Sequence, residues 1–299
     1  MSSIDAAASP SGASRATGSV YERWQLGHKL SGIGIHVVLL AYTTLAMFPI
    51  LITAINSFKK QGDIFGQPYT IPTGSMFTMI GYQTVFKRAD VLSYFSNSLI
   101  ITLGSIGLSL LLGSMAAFAL SEYKFRGNTL LGLYMALGIM IPIRLGTVSI
   151  VRLSSTLGLT GTLQGLILIY VAQNLPLAIF ILTQFFSEVP IDLKDAARID
   201  GASEYWVYRL VIPLVRQALF SVTVFIMIPV WNDLWFPLII SSDSTRTITL
   251  GVAKFAGEFQ TDYSAQLAAL TLAMLPVLVI YAIFSRQLIK GLMTGAVKA

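Results

Sequence analysis

Apolar positions along the chain fall in long uncharged blocks separated by short polar ones. A helix needs about 20 mostly apolar residues to cross the hydrocarbon core. Blocks of that length recur from Leu30 onward, and they predict spans at roughly 33–57, 96–120, 129–151, 164–187, 214–239 and 264–285. The expected fold class is thus an all-α integral membrane protein of about six transmembrane helices. The third and fifth blocks are interrupted, by Arg144 and by Asn232-Asp233, and Pro142 predicts a kink in the third. Residues 1–30 are expected to be a disordered tail and lead-in, since Ser, Ala and Gly dominate 2–20 without apolar periodicity. Residues 31–299 form the membrane domain. The uncharged run Leu30 to Phe58 exceeds the apolar core of a signal peptide and reads as an uncleaved span.

Composition fixes the class more firmly. Of 299 residues, 55% are hydrophobic and 11% charged, against about 25% charged in soluble domains. The net charge of +6 is what basic residues flanking cytoplasmic helix ends produce. No basic cluster is interleaved with aromatics, so nucleic acid is not an expected partner. Cysteine is absent, and His28 and His36 alone cannot build a metal site. Alternate loops differ in basic content. Arg15, Arg23, Lys29, Lys124, Arg126, Lys194, Arg198, Arg209, Arg216, Arg286, Lys290 and Lys298 oppose Lys59, Lys60, Lys87, Arg88, Arg152, Arg246 and Lys254. This twelve-to-seven bias predicts that both termini are cytoplasmic. The opposite loop, 58–95, is long and rich in Gly and Pro, and reads either as a docking segment or as a cap over the helix ends.

The cytoplasmic loop 188–213 is the most informative stretch. Pro190 can open a helix, Asp192 and Asp195 suit its first turns, and Gly201 can end it. Ser203-Glu204 can start a second short helix before Pro213 opens the fifth span. Leu193, Ala196, Ala197 and Asp200 share a face whose small residues let a partner's groove approach the backbone. An ordinary surface connection fits these residues too.

Asp195-Ala196-Ala197-Arg198-Ile199-Asp200-Gly201-Ala202 resembles the EAA loop of permease subunits of binding-protein-dependent ABC importers, with Asp195 in place of the usual Glu. Gly81-Tyr82-Gln83-Thr84-Val85-Phe86, Asn97-Ser98-Leu99-Ile100 and Ala116-Ala117-Phe118-Ala119-Leu120 with Phe125-Arg126-Gly127 resemble the same family around helix 2. Trp231-Asn232-Asp233 is similar to its carbohydrate branch, of the MalG type. The resemblance implies the type I (MetI-like) importer fold in a bacterial inner membrane. It implies a second, MalF-like permease, two ATPase subunits that hold ATP and Mg, an extracytoplasmic solute-binding protein and a carbohydrate substrate. It makes Asp195, Ala196, Ala197, Asp200, Gly201 and Ala202 the contact with the ATPase. Pro213 arrives one residue early for the family pattern, which would rotate the second segment by about 100°.

Polar residues at membrane depth are the candidates for a solute path. Arg144 either lines that path or snorkels to the outer interface. Gln173 and Asn174 can bind sugar hydroxyls or join neighbouring helices. Trp231, Asn232 and Asp233 have the makings of a carbohydrate site, or of an interfacial belt. No phosphate loop G-x-x-x-x-G-K-[ST] and no nucleophile–base arrangement occurs, so no catalytic or cofactor-binding residue is expected. The competing class is an ion-coupled secondary transporter. Such proteins commonly carry several intramembrane carboxylates, and here Asp233 is the only acid within a predicted span.

Overall fold

The computed structural model describes the backbone of residues 13–88, 90–255 and 262–296. It describes the side chains of 34–88, 90–254, 262–279 and 281–282. The chain divides into two units, Met1–Ile55 and Asn56–Ala299. The first is carried by α1 (Ala13–Asn56), whose stretch Gly34–Asn56 has a mean hydropathy of 2.1. The helix starts at Ala13, inside the segment expected to be a tail. Ser19 to Leu26 holds no Gly or Pro, so nothing in its backbone chemistry stops a helix there. The remainder of the expected tail, residues 1–12, lies outside the described residues.

The second unit holds α2 (Gln61–Gly66), α3 (Ile80–Arg88), α4 (Val91–Glu122), α5 (Asn128–Met140), α6 (Thr147–Thr156) and α7 (Leu163–Ser187). After them come α8 (Ile191–Ile199), α9 (Glu204–Val211), α10 (Arg216–Asn232), α11 (Trp235–Ile240), α12 (Ile248–Phe255) and α13 (Tyr263–Ala296). By length and composition α4 and α7 can cross a membrane unbroken, with mean hydropathies of 2.0 and 2.1. They pack along each other, and their backbones come close at Gly113, where a Cβ would sit 3.0 Å from that of Ala178. The main core gathers Ile101, Phe118, Tyr170, Leu182, Phe186 and Ile226 from α4, α7 and α10. A second core joins Val85, Val91, Trp231, Ile248 and Ala268 from α3, α4, α10, α12 and α13.

Two expected spans are not single helices. The third is α5 and α6, bent by 85° across a break at residues 141–142. Pro142 has no N–H to continue α5, and Ile141 before it is extended, with ψ 116°. The fifth starts at Arg216 rather than at 214, because Pro213 lies in a turn between α9 and α10, whose axes meet at 77°. It also ends early, at Asn232, since Asp233 is extended and its carboxylate accepts from Phe236 N–H at 3.1 Å. Prolines alone do not predict such breaks. Pro176 and Pro229 lie inside α7 and α10 without ending them.

The 58–95 segment folds onto its own unit. Lys59 is fully buried and donates to the carbonyls of Gln67 (2.8 Å) and Pro68 (3.4 Å). Phe58 stacks on Phe77 at 5.5 Å. Gly81 lies so close to α13 that a Cβ would meet the Ser264 carbonyl oxygen at 2.3 Å. A backbone oxygen cannot rotate away, and overpacking of this kind costs about 1–3 kcal/mol. Gly81→Ala should therefore lower the melting temperature in detergent by about 5 °C or more. Gly107→Ala, whose Cβ would meet nothing within 4 Å, should leave it unchanged.

Candidate coupling site and solute path

The helix α8 begins after Pro190 and ends in a Schellman motif. Gly201 takes φ +83°, its N–H donates to Arg198 O at 3.0 Å, and Ala202 N–H donates to Ala197 O at 3.0 Å. That left-handed position is where a glycine is needed. Ala197, Ala202 and Tyr208 pack against the main core, with Val207, Val211 and Val215 buried beneath α9. Asp195, Ala196, Asp200 and Gly201 face outward, beside Ile199 at 86% exposed. The loop therefore has a fixed underside and a bare upper surface.

Charge holds the underside. Lys194 is buried and pairs with Glu122 at the end of α4, whose side chain is 5% exposed. Arg198 donates to the other Glu122 oxygen at 2.5 Å, to Asp195 at 2.9 Å and to Glu204 at 2.9 Å. Tyr123 donates to Glu204 at 2.7 Å, and the Ser114 and Tyr208 hydroxyls bond at 2.7 Å. Hydrogen bonds from Arg198 and then Tyr123 hold the Glu204 carboxyl below the usual carboxylate range. Burial, followed by the Glu204 carboxylate, pushes the Tyr123 phenol up to about 12. Ser203 precedes α9 as expected but makes no side-chain cap, and Glu204 goes to Arg198 instead.

The candidates at membrane depth separate into groups. Arg144, just past the α5–α6 break, lies 3.6 Å from Asp233 in the α10–α11 break, and its guanidinium sits 5.9 Å from the Trp235 ring. Asp233 also accepts from Tyr170 OH at 2.8 Å, so the two breaks and α7 meet at one carboxylate. Trp231 is 4% exposed, donates to Ala273 O at 3.1 Å and crosses Phe95 edge-on: it is a core residue. Asn174 is buried and donates to Tyr170 O within its own helix, while Gln173 is half-buried. Asn232 donates to Ile228 O and lines a cavity of about 330 Å³ with Trp231, Thr249 and Gln266.

Glu122, Lys194, Arg198 and Tyr170 were not candidates in the sequence. Glu122 carried a faint signal as the one acid in the otherwise basic 121–128 stretch. Among the described residues no group of acids and histidines could hold a metal ion.

Apolar helices long enough to span, two expected spans broken beside a charged pair, and a loop helix held on one side fit a multi-pass membrane protein. The chain belongs to the family of binding-protein-dependent transport system inner membrane components, which its residues 109–293 match. It is 37% identical over 265 residues to a protein described as an ABC transporter permease in Caldicellulosiruptor sp., covering 88% of this chain and 95% of the relative. It is 31% identical over 264 residues to the diacetylchitobiose uptake system permease NgcG of Streptomyces coelicolor, covering 87% of each. The arabinooligosaccharides transport system permease AraQ of Halalkalibacterium halodurans is 29% identical over 85% of this chain and 92% of its own. In fold, the chain matches a bacterial ABC transporter that imports the acidic polysaccharide alginate. The TM-score is 0.73 at 20% identity, over 87% of this chain and 97% of that one.

Proposed function

We propose that this chain is a permease subunit of an ATP-driven carbohydrate importer in a bacterial cytoplasmic membrane, with both termini in the cytoplasm. It forms half of a translocation path with a second, homologous permease of the MalF type. It receives solute from an extracytoplasmic binding protein, and two separate ATPase subunits hold the ATP and Mg. Carbohydrate as the solute is supported by relatives named for diacetylchitobiose and arabinooligosaccharide uptake.

One observation carries the coupling role: α8 is fixed beneath and bare above, at Asp195, Ala196, Asp200 and Gly201. Ala197 and Ala202 support that surface from the core side. Arg144 and Asp233 border the solute path where two broken helices meet, and unwound backbone at membrane depth belongs beside a cavity or protein. Trp231 frames the path from the core, and Asn232 faces the neighbouring cavity. Gln173 and Asn174 act as structural polar groups of α7.

Co-expression with the candidate ATPase, second permease and binding protein tests this reading. Purification in detergent should recover all four proteins with ATPase activity that solute-loaded binding protein stimulates. Mass spectrometry of the solute held by the binding protein should identify a saccharide. Failure of the ATPase to co-purify with the wild-type chain would sink the coupling role. A non-sugar solute would sink the substrate class alone.

A further inference from the structure

We propose that Glu122 is a positioning residue for coupling: it ties α8 to α4, so that movement of the loop is passed to a helix that the loop does not adjoin in sequence. The inference rests on the reading of 190–212 as the ATPase contact. α7 and α10 flank that loop covalently and move with it through the backbone. α4 has no such connection, and Glu122 lies 72 residues from Lys194 and 76 from Arg198. Yet one carboxylate, 5% exposed, accepts from both cations, one on each oxygen. Two further polar ties between this end of α4 and the loop are neutral donors, the Ser114–Tyr208 hydroxyl pair and the Tyr123 phenol on Glu204.

A carboxylate buried against two cations resists separation more than a hydroxyl pair does. Breaking a buried pair by removing one partner leaves an uncompensated charge, which here is Lys194. The geometry on the cations supports the same direction. Arg198 is held from three sides by Glu122, Asp195 and Glu204, so its guanidinium cannot follow a displaced α8 without α4 following or the cluster coming apart. α4 in turn lies against α7 along most of its length and shares the main core with α10. A shift of its Glu122 end thus reaches α7, which carries Tyr170, and α10, which ends beside Asp233.

The test uses the whole complex in proteoliposomes with its own binding protein and solute, comparing ATP hydrolysed with solute taken up. Glu122→Gln should keep the ATPase bound and its basal hydrolysis within twofold. Uptake should fall at least tenfold, so that more ATP is spent per solute moved. Glu122→Asp, which keeps the charge but cannot span both cations, should show the same change in ratio to a smaller degree, and it serves if the Gln variant does not accumulate. Tyr123→Phe and Ser114→Ala should move the ratio by less than twofold. Hydrolysis and uptake falling in equal proportion in both Glu122 variants would overturn the proposal, as would a wild-type ratio. Loss of the ATPase from the wild-type complex is a separate outcome, which counts against the coupling loop itself.

Discussion

Gly201→Val is expected to remove transport almost completely and to release the ATPase subunits from the purified complex. At φ +83° a β-branched side chain is a conformational outlier, and a left-handed residue costs about 1–2 kcal/mol. The two hydrogen bonds that close α8, from Gly201 to Arg198 and from Ala202 to Ala197, depend on that conformation. Once it relaxes, Ala202 leaves the core and α9 is no longer held at its angle to α8. A penalty of this size lowers the population of the native loop by roughly tenfold, before any loss of fit to the ATPase. No neighbouring atom lies within 4 Å of a Cβ at this position, so the cause would be conformational rather than a clash within the chain. Gly201→Asn sharpens the point, because Asn tolerates the left-handed region. If Asn keeps the ATPase bound while Val does not, backbone shape is what the partner requires. If both lose it, the partner comes too close to the backbone for any side chain. If Val behaves as wild type, the Schellman end of α8 is irrelevant to docking.

Asp233→Asn is expected to reduce uptake at least tenfold while leaving the ATPase attached. The carboxylate accepts from Tyr170 OH and Phe236 N–H and stands 3.6 Å from Arg144. Both bonds end on Oδ2, so an amide whose carbonyl takes that place keeps them, but it loses the charge and turns its NH2 toward Arg144. Hydrogen bonds to a charged group contribute about 1.5–3 kcal/mol each, and neutral ones about 0.5–1.5 kcal/mol. The Arg144 pair is a different matter. The arginine side chain is 67% exposed, and exposed pairs contribute about 0–1 kcal/mol. Arg144→Ala should therefore be much milder than Asp233→Asn if both residues act by holding the two breaks together. An Arg144→Ala defect as large as that of Asp233→Asn, measured as a raised half-saturation concentration for uptake, would place the guanidinium on the solute instead. Wild-type uptake in Asp233→Asn would remove the carboxylate from the path altogether.

What was legible in the sequence follows the range of the interactions involved. The start of α8 at Pro190 and its end at Gly201 rest on local backbone chemistry, and both are where the residues place them. The blocks that became α4 and α7 are long and apolar enough that no tertiary knowledge was needed. The break at Pro142 was visible as a kink, though not as a bend of 85°. The interruption at Asn232-Asp233 was visible as polar residues in an apolar block, but not as a helix end, because the prolines on either side lie within helices and the stop rests on Asp233 turning its carboxylate to Phe236 N–H. Trp231 illustrates the longer-range limit. Beside Asn232 and Asp233 it resembles a sugar platform, yet Ala273 and Phe95, far off in sequence, turn it into core. Beyond the faint signal of Glu122 as the one acid in a basic stretch, the cluster of Glu122, Lys194 and Arg198 could not be read, since each residue alone looks like a solvated charge near a helix end.

The burial of that cluster also determines how the protein responds to ionic strength. Counterions screen exposed pairs within about 8–10 Å in ordinary buffers, and buried pairs far less. Lys194 and Glu122 are 7% and 5% exposed, so concentrated salt that strips a peripheral subunit from the membrane leaves them paired. Under the proposed coupling role, the chain is expected to keep its docking surface in shape while unoccupied, so that a washed membrane takes up ATPase again without refolding the loop.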